Sequence, residues 1–177
     1  MGVRRVTEQN IKTIIEKLEL VPLEGEGGMY RRTYAGDPDA EGRHAYSVIY
    51  YLLTQRTFSH MHKLNADEVY HFYMGDGMEL LILYPDGRAE CRVLGCNLDR
   101  GEIPQFRVPA GCWQGSRVVR GGTYSLVGTT MTPAYEEEMY THGVCEELCK
   151  KYPLVSDKIR ERCGAVAREV QENETII

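Results

Sequence analysis

The chain has 177 residues, a formal net charge of -5, 42% hydrophobic and 27% charged residues, which suits one soluble globular domain. The acidic balance and the lack of a long basic run argue against nucleic acid or an anionic membrane as the main partner. No apolar stretch reaches the ~20 residues of a membrane span. The opening residues, MGVRRVTEQN, carry two arginines with no apolar run behind them, so no secretory leader is expected and the cytoplasm is the expected location.

In chain order, residues 7–20 read as an amphipathic helix. Thr7 is its cap, and Ile11, Ile14, Ile15 and Leu18 recur at helical spacing. Pro22 ends it, and a glycine-rich loop, LEGEGGM, covers residues 23–29. From Tyr30 to about Met131 the pattern becomes short strands separated by turns: 46–53, 68–74, 78–84, 89–94, 105–108, 113–119 and 123–130. Pro85-Asp86-Gly87 forms a tight hairpin. Seven to nine strands about ten residues apart predict a sandwich or barrel. Eight of the 12 tyrosines fall between Tyr30 and Tyr84, which suits a β-rich core around a pocket. After Pro133 a helix is predicted over 136–152, then a second one capped by Ser156, and a polar tail ends the chain.

Six cysteines contain no C-x-x-C pair and no Cys/His zinc ladder. They read as free thiols, with Cys145 and Cys149 on one helix face.

The residues richest in chemistry lie in FSHMHKLNADEVYHFYMG, 58–75, and in VPAGCWQ, 108–114. His60 and His62 are two apart, so on a regular strand they share one face. Glu68, Tyr70 and Phe72 alternate with Val69, His71 and Tyr73, which separates His62 from His71 and leaves His71 as a histidine satisfied between sheets or at a subunit contact. Tyr50 and Tyr51 point opposite ways, so one at most lines the interior; Tyr50 joins the candidate ligand contacts. Arg31 and Arg32, beside the glycine-rich loop, are candidates to clamp phosphate or carboxylate, against the alternative of surface salt bridges. Trp113 suits stacking on a sugar or base, or simple core packing.

The run H-x-H, Glu, Gly, followed by P-x-G about 35 residues later, resembles the two-motif signature of cupins. The stretches GGMYRRTY, DEVYHFYMGDGMELLIL, VPAGCWQ and SLVGTTMTPAYE resemble the DUF985 (cupin_5) branch in particular, over roughly residues 10–162. The resemblance implies an all-β fold, a double-stranded β-helix or jelly-roll barrel, with flanking N- and C-terminal helices. It implies a single cupin domain over 1–163: helix 7–20, barrel about 28–132, C-terminal helices about 136–163, and a polar tail over 164–177. In metal-binding relatives the two His, the Glu and a later His hold one ion. Here the gap from His62 to Glu68 is one residue longer than usual, and Gln114 stands where the last His would be. A single divalent metal on His60, His62 and Glu68 is thus permitted and not required.

Three functions remain open. The first is an acid–base epimerase or isomerase acting on a sugar-nucleotide or other phosphorylated metabolite. Its base is His62, supported by Glu68, with Tyr70 or Tyr73 as the acid, Arg31 or Arg32 holding phosphate, and Tyr50, His60, His71, Tyr73, Trp113 and Gln114 as candidate ligand contacts. The second is a non-catalytic protein binding a carbohydrate or nucleotide-like ligand. The third is a metal-dependent dioxygenase or isomerase. A small-molecule ligand in the barrel and a homodimer are the expected partners.

Overall fold

Eleven strands in two antiparallel sheets face each other in the computed structural model, which describes residues 8–164. The predicted cap Thr7 and nearly all of the polar tail lie outside the described residues. The first helix, α1 (Glu8–Leu18), lays Ile11, Ile14, Ile15 and Leu18 on one sheet, as its 3.6-residue period requires. The strands are β1 (Val21–Pro22), β2 (Met29–Ala35), β3 (Ser47–Thr54), β4 (Phe58–Leu64), β5 (Glu68–Gly75) and β6 (Met78–Leu83). They continue as β7 (Ala89–Leu94), β8 (Gln105–Val108), β9 (Trp113–Val118), β10 (Tyr124–Met131) and β11 (Tyr140–His142).

One sheet has the order β1-β2-β3-β10-β5-β8, the other β11-β4-β9-β6-β7. The chain therefore crosses repeatedly from one sheet to the other, and sequence-distant strands become neighbours: β3 with β10, β4 with β9. This is jelly-roll wiring. Alternation then sorts each strand. Leu53, Leu80, Ile82, Val118 and Val127 pack in the interior, whereas Leu52 and Leu126 turn outward beneath α1. Leu81 and Leu83 turn outward beneath the C-terminal helices α2 (Cys145–Lys151) and α3 (Ser156–Arg160). The apolar run of β6 is buried on both faces for this reason.

The helix predicted over 136–152 does not form as one element. Glu137–Met139 is a 3-10 turn, Tyr140–His142 is β11 on the edge of β4, and α2 starts only at Cys145. Tyr-Thr-His favours an extended backbone, and at Gly143 a Cβ would press on the Met61 carbonyl at 2.5 Å. Ser156 is the first residue of α3 and makes no side-chain cap; Val155 holds that position.

Arg162, 0% exposed, ties these helices to the back of the second sheet. Its guanidinium donates to the carbonyls of Gly115 (3.1 Å) and Lys158 (2.9 Å) and to the Glu79 carboxylate at 2.5 Å. With Lys158 also on Glu79 (2.9 Å), the carboxyl is held down at about 2, despite the opposing effect of burial.

Candidate functional site

Strand β4 carries one extra residue. Ser59 pairs with Ser116 and His62 with Gln114, so three steps along β4 match two along β9, a β-bulge. The bulge changes the side-chain parity, and His60 and His62 do not act together. His62 is 1% exposed and stands directly across from Gln114, whose other neighbour is the interior residue Ile82. His60 instead stacks on His142, with centroids 3.9 Å apart.

Backbone groups in the bulge are taken by segments remote in sequence. The N–H of His60 donates to the Glu26 carbonyl, that of Met61 to the Arg162 carbonyl, and Gly143 donates to the Met61 carbonyl, each at 2.8 Å. The first of these brings the glycine-rich loop into the site. Gly27 and Gly28 have φ of 101° and 73°, and a Cβ on Gly27 would run into the Phe58 carbonyl. Only glycine fits that backbone so close to β4. Tyr51 donates to the Gly27 carbonyl at 2.9 Å and Ser59 to the Glu26 carboxylate at 2.8 Å.

Glu26 is thus a site residue that sequence reasoning missed. Its Oε2 lies 4.0 Å from His62 Nε2. His62 Nδ1 sits 2.8 Å from the carbonyl of His60. A carbonyl only accepts, so Nδ1 carries the proton, and in the neutral ring the lone pair is on Nε2, turned to Glu26. Tyr140 stacks on the ring at 5.2 Å.

Glu68 does not serve His62 directly. It accepts the Gln114 amide N–H at 2.7 Å, with the hydroxyls of Thr129 and Tyr70 beside the same carboxylate. Burial pushes its carboxyl up, the Glu26 carboxylate adds to this, and His62, Thr129 and Gln114 oppose it. Burial likewise pushes the Tyr51 and Tyr70 hydroxyls well above the usual range. Because Gln114 spends its N–H on Glu68, its carbonyl Oε1 points elsewhere, buried and without a partner among the described residues; Ser116 Oγ and Ser125 Oγ share that condition.

The remaining expected contacts separate by strand face. Tyr51, not Tyr50, is interior; Tyr50 packs edge-on against Tyr73 on the outer face, where Tyr73 is 43% exposed and lies on Gly128. Tyr73 is therefore no candidate acid. His71 also faces outward, between Thr130 (3.2 Å) and Gln105 (3.0 Å). Trp113 packs with the C-terminal helices under Lys63, as its alternation with interior Gln114 requires. Arg31 turns to α1, meeting Glu19 at 2.6 Å and the Leu18 carbonyl at 3.2 Å. Arg32 pairs with Ile49 on the inward row and donates to the Tyr135 carbonyl at 3.2 Å.

His60, His62 and Glu68 do not fit a metal ion. The bulge sends His60 to His142, and Glu68 is occupied by an amide donor. Among the described residues no three His, Cys, Asp or Glu side chains are grouped to hold an ion.

The profile described as Cupin superfamily (DUF985) matches residues 12–142. A solved protein from Shewanella oneidensis is 33% identical, covering 86% of this chain and 96% of its own, with a TM-score of 0.80. A hypothetical protein from Leishmania major is 30% identical over 86% of this chain and 97% of its own, with a TM-score of 0.76. An uncharacterized protein of Saccharomyces cerevisiae is 25% identical over 111 residues; the match spans 60% of this chain and 55% of the yeast protein. With the profile covering well over half of the residues on a jelly-roll frame, the chain belongs to the DUF985 (Cupin_5) family of the cupin superfamily.

Proposed function

We propose that the barrel binds a small polar metabolite and exchanges a proton with it, with His62 as the base, in an epimerase- or isomerase-type reaction. The observation that carries this reading is the fixed tautomer of His62: Nδ1 donates to the His60 carbonyl at 2.8 Å, and Nε2 faces Glu26 across 4.0 Å. A neutral Nε2 accepts a proton from an acidic C–H next to a carbonyl, and the Glu26 carboxylate stabilises the resulting imidazolium. Tyr70, whose hydroxyl burial keeps protonated, is the interior group suited to return a proton. Glu68 fixes Tyr70, Thr129 and Gln114 in place and is a positioning residue. Arg32, on the inward row at the exposed end of β2, suits a phosphate or carboxylate left outside the barrel.

The test is solvent exchange. Phosphorylated and nucleotide-linked sugars are incubated with the protein in deuterium oxide, and C–H exchange is followed by NMR. His62→Ala is expected to slow exchange roughly 10²–10⁴-fold, the usual contribution of a positioned general base, while the variant keeps its fold. Exchange that is unchanged in His62→Ala removes His62 from this role. Saturable binding with no exchange in the native protein favours the non-catalytic reading instead.

A further inference from the structure

Beside Gln114 and His62 the interior carries the Glu26 and Glu68 carboxylates, and among the described residues no lysine or arginine answers either of them. Glu26 lies 4.0 Å from His62 Nε2 and accepts from Ser59, and Glu68 is held by neutral donors. Among the described strands, the basic residues on inward rows are occupied elsewhere: Arg32 at the Tyr135 carbonyl, and Arg92 on Glu90 and over the Phe106 ring. Acidic side chains alone would prove nothing, but Gln114 adds an independent observation. It is 1% exposed, and its Oε1 is a buried acceptor with no donor among the described residues. With Glu68 as a carboxylate the orientation follows, because a flipped amide would set its carbonyl against that carboxylate. An unpaired buried acceptor of this kind is costly unless a ligand or water satisfies it.

His62 Nε2 presents a further lone pair, so three neighbouring groups accept and none of them donates: Gln114 Oε1, the Glu26 carboxylate and His62 Nε2. Tyr51, Tyr70 and Tyr140 supply aromatic walls nearby, which favour a cation over an anion. From these groups we infer that the barrel recognises a protonated primary amine, its N–H donors directed to Gln114 Oε1 and the Glu26 carboxylate. A phosphate or carboxylate on the same molecule stays outside, toward Arg32. The inference rests on the barrel being the ligand site, as proposed above, and does not require turnover.

The experiment titrates full-length protein with three matched probes: ethanolamine as the cation, ethylene glycol as its neutral analogue and glycolate as its anion. Binding is read by saturation-transfer NMR and by thermal shift. Ethanolamine is expected to bind saturably, roughly tenfold or more tighter than ethylene glycol, with no binding of glycolate. Glu26→Gln and Gln114→Met are each expected to weaken ethanolamine roughly tenfold or more, with near-ultraviolet circular dichroism confirming that both variants fold. The inference is overturned if ethanolamine does not bind, if glycol or glycolate binds as tightly, or if both folded variants bind ethanolamine as the native protein does. Its failure is separable from that of the acid–base reading. Ethanolamine binding together with no C–H exchange on any of the carbonyl-bearing sugar probes in deuterium oxide counts against the acid–base reading alone. A His62-dependent exchange on a substrate without an amine counts against the amine alone.

Discussion

A few atoms decide what the barrel interior offers, and the role of each follows from its hydrogen-bond partners. Tyr51 illustrates this: its phenol is not free to react, because it holds the Gly27 carbonyl at 2.9 Å and so holds Glu26 in register. Tyr51→Phe leaves that carbonyl unpaired, and a loss of about 1–3 kcal/mol in urea denaturation is expected, with faster proteolysis at residues 24–28. The alternation of Tyr50 and Tyr51 was legible in the sequence, but not which of them faced inward. That choice is fixed by pairing to β10, where Val127 opposite Tyr51 belongs to the interior and Gly128 opposite Tyr50 does not. Glu26 was hidden for a different reason. Its partners, His62 and Ser59, are more than 30 residues away, and among three glycines it reads as a turn residue. Gln114 and His62 were visible because they stand inside motifs.

At the scale of elements, β3 and β5 to β10 were readable from alternation and turn residues, while β1, β2 and β4 had no predicted range and β11 lay in a predicted helix; these departures lie where tertiary pairing overrides local pattern. Strand β11 replaces predicted helix because the edge of β4 offers partners to Tyr140, Thr141 and His142. Its attachment relies on the His60–His142 stack, with Phe58, His62 and Glu26 the other groups around His60 and Tyr140 against His142. Burial lowers the pKa of His60 below 6.5, and the neighbouring His142 and His62 lower it further, against the backbone bond to Met61 and the Glu26 carboxylate. A histidine lowered in the folded state contributes its full stability above the unfolded value of 6.5; that contribution is lost as pH falls below it. The protection factors of the Tyr140–His142 amides, with the base-catalysed intrinsic exchange rate divided out, are therefore expected to fall as pH drops below 6.5, and His142→Phe should reduce that fall. Protection factors that stay constant with pH would show that the stack does not hold β11.

For the whole molecule, the C-terminal helices are fastened by one buried arginine. Removing Arg162 leaves Glu79 with Lys158 alone and orphans the carbonyl of Gly115, so Arg162→Ala is expected to cost about 3–5 kcal/mol in equilibrium unfolding. Glu79, lowered to about 2, contributes stability in full above its unfolded value of 4.5 and loses it as pH falls toward 2. Acid unfolding monitored by Trp113 fluorescence is the measurement, and Glu79→Gln should flatten that part of the curve. The jelly-roll frame was expected from the resemblance to cupins, the strand spacing alone reaching only a sandwich or barrel. The clamp was not, because Arg162 stands in an otherwise polar segment, and only the folded chain brings it against Gly115 and Glu79.

The bulge in β4 joins these scales. One surplus residue leaves three backbone groups of the strand open to outside partners, and they are taken by the loop at residue 26, the turn at 143 and the chain at 162. The segment carrying His62 is thus a junction at which the glycine-rich loop, the edge strand and the C-terminal clamp share a single anchor. Whatever tightens or loosens one of them is felt by the other two, and the barrel and its helical buttress behave as one cooperative unit.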